Sequence, residues 1–181
     1  VEVMLQRTAA DQVVDSFAIL NKNYPTAASL RAISALDIDA MFGSLGLKWR
    51  IPLFRQLAKI IVKSNGRLPR TVDQLMKFPG VGPYTSAAAL SMHANIRSVI
   101  IDANTVRIMS RVVGTEFDGE TRRQLWVQDV LEKLTPKNSF RQFNFAMLDL
   151  GALVCTPANP QCKSCPIQES CSTGVTAETT W

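Results

Sequence analysis

Leu75-Met76-Lys77-Phe78-Pro79-Gly80-Val81-Gly82-Pro83-Tyr84-Thr85 is the stretch on which the fold turns. The residues before it read as the end of a helix, and Thr85 to Met92 is Ala-rich and helical. Gly80 and Gly82 permit a tight turn between the two helices. They also remove side chains, so backbone N–H groups can touch a phosphate beside the positive end of the following helix. Val81 would pack into the helix pair and anchor the turn. Taken alone, G-x-G suits an ordinary helix–helix corner equally well.

Outward from this stretch, helical spacing dominates. Val13, Val14, Phe17 and Leu20 share one face, and so do Leu53, Leu57, Ile60 and Ile61 after Pro52. Asn65-Gly66 closes that second helix. Leu125 to Leu134, closed by Pro136, and Phe140 to Val154 are further helices. Ser98-Val99-Ile100-Ile101 is the one short run that reads as a strand or as a buried helix entry. The expected fold class is all-α. His93, the single histidine, reads as structural or surface. Trp49, Trp126 and Trp181 read as core or tail residues.

Val99 to Ile101 leads directly into Asp102. A carboxylate there caps the helix that starts at Ala103. The cap is compatible with a second use. A carboxylate fixed at a helix start points in a known direction, as a group that stabilises a developing cation must.

Composition shifts after Val154. Cys155, Cys162, Cys165 and Cys171 are spaced C-x6-C-x2-C-x5-C, with Pro157, Pro160 and Pro166 among them. Paired disulfides suit a secreted chain, and no signal peptide is visible at Val1-Glu2-Val3-Met4-Leu5. Structural zinc usually shows two close ligand pairs, and only Cys162 and Cys165 form one. A [4Fe–4S] cluster tolerates wider, uneven spacing, so the spacing favours a cluster over zinc, with disulfides third. The chain has 181 residues, 46% of them hydrophobic, and a net charge of +5, which suits a polyanionic partner without proving one. No apolar run is long enough for a membrane span. The start without Met, in an apolar run, reads as a trimmed N-terminus.

The hairpin, then Ile101-Asp102, then the four cysteines, in this order, resemble the helix-hairpin-helix base-excision DNA glycosylase superfamily. The branch is the endonuclease III-like one with an iron–sulfur cluster, and the likeness spans essentially the whole chain. The resemblance implies two helical domains. Residues 1–96 would form a six-helix barrel with the hairpin, and residues 97–181 would carry the [4Fe–4S] loop. DNA would lie across the cleft between them. It also implies an additional N-terminal helix.

Branch assignment rests on a few positions. The superfamily's bifunctional lyases carry a Schiff-base lysine where this chain has Tyr84, so a monofunctional enzyme is expected. Glu2-Val3-Met4-Leu5-Gln6-Arg7-Thr8 is similar to the segment that contacts the flipped base. Gln6-Arg7-Thr8 lies nearer the thymine branch's Arg-Arg-Thr than the adenine branch's Gln-Gln-Thr. Tyr84 and Asp102-Ala103-Asn104 followed by Val106-Arg107 also match the thymine branch, the G·T mismatch (Mig-type) glycosylases. The chain ends soon after Cys171, where adenine enzymes usually continue into a further domain.

The expected roles follow. Asp102 stabilises the oxocarbenium ion, Glu2 hydrogen-bonds the departing base, and Tyr84 lines the sugar pocket. Gly80, Val81 and Gly82 hold a phosphate. Leu47 is the wedge, Arg7 probes the opposite base, and Gln6 is a DNA contact. The cluster would pin a basic loop, including Lys163, against DNA. The expected partner is mismatched double-stranded DNA, bound by a monomer in the cytoplasm or nucleoid. Alternatives are adenine excision from A·8-oxoguanine or A·G pairs, oxidised-pyrimidine excision with lyase action, which the missing lysine opposes, and a non-catalytic DNA-binding module, which Asp102 disfavours.

Overall fold

The structure, a computed structural model, describes residues 1–43, 45–46 and 48–176. Among these every regular element is helical and no strand occurs, so the all-α expectation holds. The chain packs as two compact units, Val1–Ala89 and Leu90–Trp181.

The first unit holds α1 (Glu2–Leu5), α2 (Ala10–Asn23), α3 (Ala35–Gly43), α4 (Ile51–Lys63), α5 (Val72–Leu75) and α6 (Pro83–Ala88). Its core joins Met4, Val13, Ile38, Met41, Phe42 and Leu45. The Phe42 and Phe54 rings meet 4.5 Å apart and tie α3 to α4. Pro52 sits in the first turn of α4, where its missing N–H costs nothing. Asn65 (φ 51°) and Gly66 (φ 76°) turn left-handed and stop it, as the sequence predicts. The face expected on α2 differs. Val13 is buried, but Val14 is 60% and Phe17 37% exposed. Ser16 is buried instead, because its Oγ donates to Met41 O at 3.1 Å, an acceptor that hydropathy patterning does not see.

The second unit holds α7 (Ala103–Val113), α8 (Leu125–Leu134), α9 (Phe140–Asp149) and α10 (Ser172–Thr176). Val106, Ile108, Met109, Val127, Leu131 and Met147 form its core. Ser98 to Ile101 is irregular, neither strand nor helix, and buries Ile100 to 2% exposure. Asn144 on α9 donates to Ser91 Oγ (2.6 Å) and Ser98 O (3.0 Å), which draws Ser91 into this unit. The division therefore falls earlier than residue 96. Two stretches expected as uninterrupted helix, Thr85 to Met92 and Phe140 to Val154, each finish in a π turn, at Ala89–His93 and Leu150–Val154. In the second, Cys155 N donates five residues back to Leu150 O at 2.7 Å. Trp126 packs against this core, whereas Trp49 is 56% exposed and not a core residue.

Candidate active site and nucleic-acid interface

Phe78-Pro79-Gly80-Val81 closes a type II turn between α5 and α6. Val81 N–H donates to Phe78 O at 3.1 Å, and Gly80 takes the left-handed φ of 72° that this turn demands. The turn changes the expected phosphate grip. Val81 spends its N–H inside the turn, while among the described residues no acceptor takes the N–H of Gly80 or Gly82. Those two amides, beside the start of α6, are the open donors. Leu53 Cβ lies 3.3 Å from where a Gly80 Cβ would stand, so the turn seats directly on α4. Tyr84 follows in the first turn of α6, half-buried.

Glu2, Gln6 and Arg7 lie on α1 and its exit, in the same unit. Glu2 is buried (9% exposed), as are Val3 and Met4. Gln6 is not simply a surface contact. Its Nε2 donates to Gly80 O (2.7 Å) and Thr85 Oγ1 (3.0 Å), joining this segment to the hairpin. Arg7 is exposed and left-handed at φ 57°, unusual for a residue with a Cβ. Beneath the segment, Arg50 is 1% exposed and donates through Nη1 to Val3 O (3.2 Å) and Met4 O (3.1 Å). Burial first, and the Arg7 charge second, lower its pKa. Leu47, the expected wedge, lies outside the described residues.

In the second unit Asp102 caps α7 through a complete capping box. Oδ1 accepts from Thr105 N (2.8 Å), and Thr105 Oγ1 accepts from Asp102 N (2.9 Å). Its other oxygen, Oδ2, accepts from Asn104 Nδ2 at 3.1 Å. Asn104 is held in turn by Arg107, whose Nη2 donates to Asn104 Oδ1 (2.8 Å) and Gly151 O (2.7 Å) and whose Nε donates to Cys155 O (2.8 Å). Arg107 is 4% exposed. Behind it the backbone approaches so closely that a Cβ on Gly151 would stand 2.6 Å from Asn104 Cβ. An unbroken series of side chains thus runs from the carboxylate to the first cysteine.

Cys155, Cys162, Cys165 and Cys171 line one pocket in the second unit, with Ile108, Val112, Leu150 and Ile167 among its apolar walls. The four thiols are free, so the disulfide alternative is not realised. Burial, followed by the neighbouring Cys171, Cys155 and Cys165, raises the pKa of the Cys162 thiol, with Arg111 opposing. Among the described residues no group of three or more His, Cys, Asp or Glu is placed to hold a metal ion. Four thiols lining one pocket are soft donors of the kind that an iron–sulfur group or zinc takes. Arg111 backs the loop, donating to Cys155 Sγ (3.3 Å), Thr156 O (2.8 Å) and Pro157 O (2.9 Å). Lys163 is exposed on it, and His93 is at the surface.

Sequence reasoning overlooked the supporting roles of Arg107, Arg111 and Arg50. A signal existed for two of them. Ala103, Arg107 and Arg111 recur every four residues on α7, so both arginines share one helix face. Nothing local marks Arg50 or Thr85, whose partners lie dozens of residues away.

No family model matches the chain. An adenine DNA glycosylase of Buchnera aphidicola is 31% identical over 172 residues, covering 94% of this chain and 48% of that protein. A thymine/uracil-DNA glycosylase of Pyrobaculum aerophilum is 31% identical over 172 residues, covering 91% and 74%. The chain spans about half the length of the Buchnera protein. Among solved structures, a thermostable thymine-DNA glycosylase matches with a TM-score of 0.86 at 26% identity, over 97% of this chain and 82% of that one. Endonuclease III trapped covalently on DNA matches with a TM-score of 0.80 at 26% identity, over the same shares. Likeness to both glycosylase branches, on a fold shared with endonuclease III, shows that the chain belongs to the helix-hairpin-helix base-excision DNA glycosylase superfamily.

Proposed function

We propose that this protein is a monofunctional DNA glycosylase of base-excision repair, which flips thymine or uracil out of G·T and G·U mismatches and hydrolyses its N-glycosidic bond. The observation that carries the glycosylase reading is Asp102. Its carboxylate is fixed by the capping box and by Asn104. A pre-oriented anion at that position stabilises the positive charge that develops on the sugar as the base departs, and it orients the attacking water. Glu2 hydrogen-bonds the departing base and offsets its developing negative charge. Tyr84 stands where a lyase needs an amine. A phenol forms no imine, so the product is an abasic site in an intact strand. The open N–H groups of Gly80 and Gly82 take a phosphate.

The four cysteines would hold a [4Fe–4S] cluster, which supplies a rigid cross-link for their loop. The loop's Lys163 then meets the DNA backbone. No helix among the described residues is long and apolar enough to cross a membrane. We place the protein with DNA inside the cell, acting as a monomer.

Adenine excision is the second reading, supported by Glu2 and by the adenine glycosylase relatives. A panel of duplexes carrying G·T, G·U, A·G, A·8-oxoguanine and thymine glycol, scored with and without alkali, separates the readings. The expected result is strand breakage at G·T and G·U only after alkali. Breakage at A·8-oxoguanine instead transfers the protein to the adenine branch, and breakage without alkali refutes monofunctional action. Tyr84→Lys should introduce an adduct that borohydride traps. Purified protein should be yellow-brown with bound iron and sulfide, and a colourless zinc protein would refute the cluster.

A further inference from the structure

The exit of α1 holds a side chain whose hydrogen bonds run inward. Gln6 has two amide hydrogens, and two acceptors of the same unit take them, Gly80 O at 2.7 Å and Thr85 Oγ1 at 3.0 Å. A carboxamide normally flips with little cost, because its two ends have similar shape. Two acceptors on the nitrogen side remove that freedom. Oε1 has no donor among the described residues and is not sealed from solvent, so Gln6 presents outward only an acceptor.

Both contacts fall on the hairpin. Gly80 O belongs to the same peptide group as Val81 N, which closes the turn on Phe78 O. A bond to that carbonyl therefore fixes the plane of the peptide on which the turn pivots. Thr85 stands three residues after the α6 N-cap Gly82, buried at 5% exposure. Gln6 thus holds the turn and the helix start together.

The next residue supplies an independent observation. Arg7 is exposed and left-handed at φ 57°, a strained conformation for a side chain with a Cβ. Strain of this kind persists where the surroundings impose it. Gln6 is fastened to the hairpin on one side of Arg7, and Arg50 holds Val3 O and Met4 O further back. The backbone between these anchors and Thr8 must turn, and Arg7 absorbs the turn. The direction in which its side chain leaves the backbone is thereby fixed.

We propose that Gln6 is a positioning residue that locks the exit of α1 onto the phosphate-gripping hairpin, so that a phosphate held at Gly80 and Gly82 and a base read by Arg7 are kept in one register. The proposal rests on the glycosylase reading above. It predicts that grip and readout are coupled through one carboxamide.

The first test needs no base release. In ¹⁵N-labelled protein the Gln6 side-chain amide signals are assigned by their loss in Gln6→Met. Titration with an undamaged duplex should shift them together with the backbone signals of Gly80 and Gly82. Movement of the hairpin signals without Gln6 overturns the proposal. If neither set moves, the hairpin does not grip DNA, and the underlying reading falls together with the proposal.

The second test uses single-turnover base release. Gln6→Met keeps the length of the side chain and loses its hydrogen bonds. It should slow release by about 10-fold or more while affinity for undamaged duplex is unchanged. Thr85→Val removes one acceptor and should give a smaller loss of the same kind. The double variant should be no slower than Gln6→Met alone, since both act through one link. Additive losses overturn the proposal, as does a parallel loss of affinity and rate. Should Gln6→Met not fold, Thr85→Val carries the same rate-against-affinity comparison.

Discussion

Two Asp-x-x-Thr sequences lie sixteen residues apart in the second unit, and they build the same local structure. At Asp102 the carboxylate accepts from Thr105 N at 2.8 Å, and Asp102 N donates to Thr105 Oγ1 at 2.9 Å. At Asp118 the carboxylate accepts from Thr121 N at 2.9 Å, and Asp118 N donates to Thr121 Oγ1 at 2.9 Å. Both are satisfied within three residues, so both are written into the chain locally. They differ in what stands behind them. Asp118 precedes a short turn at Thr121–Arg123, and its Oδ1 accepts only from Glu120 and Thr121 of its own loop. Asp102 has a second oxygen held by Asn104, which Arg107 ties to the backbone of Gly151 and Cys155. The capping motif is therefore not the functional signal. Support from distant backbone turns a cap into a positioned anion.

Asp102→Asn should break this comparison most sharply. Asn caps a helix about as well as Asp, so the fold should stand. The anion is gone, and base release should fall by about 10³-fold. Single-turnover kinetics beside duplex affinity check it, and substantial turnover would remove Asp102 from the mechanism. Gly151→Ala should come next. The added Cβ would meet Asn104 at 2.6 Å, and displacing Asn104 releases one side of the carboxylate. Release should slow by about 10²-fold with duplex affinity retained.

Arg107→Gln sharpens the contrast between cap and support. It leaves the buried carbonyl of Gly151 without its donor, at about 1–3 kcal/mol, and removes a partner from the partly buried carbonyl of Cys155. Denaturant unfolding should register that loss, together with slower base release. Thr105→Val removes only the local half of the box. It should cost about 1 kcal/mol, seen as a melting temperature lower by roughly 2–4 °C.

Asp118 gives the smallest effect and the control. Its pKa is lowered by the Thr121 hydroxyl first, then by the Glu120 and Thr121 N–H groups. A depressed carboxylate stabilises the fold above its ordinary titration range, and that contribution is lost as pH falls through the depressed value. Asp118→Asn should flatten the acid side of the stability profile and leave base release at neutral pH unchanged. An equal loss of activity in the two Asp→Asn variants would mean that the support behind Asp102 has no special role.

Much of the fold was legible because its signals are short-ranged. Pro52 and Asn65-Gly66 bracket α4, Gly80 permits the tight turn, and Asp102 starts α7. Each rests on residues within one turn of each other. The face of α2 was misread because Ser16 is buried by a bond to Met41 O, which no periodicity reveals. The π turns were missed because an i→i+5 bond leaves hydropathy almost unchanged. In the candidate site, the cysteine spacing narrowed the choice of group but left zinc and disulfides open. Four free thiols around one void decide against disulfides.

By itself the sequence determined most of the helices, the Asp102 cap, the hairpin turn and the grouping of the four cysteines, since backbone geometry holds such neighbours at fixed separations. Only the tertiary structure decided that Gln6 serves the hairpin and that Arg107 stands behind Asp102. It also placed a buried Arg50 against the backbone of Val3 and Met4. The Gln6 contacts join residues 74 and 79 positions apart, and Arg107 reaches Cys155 across 48. Separations of that size carry no fixed distance until folding closes the loops between them.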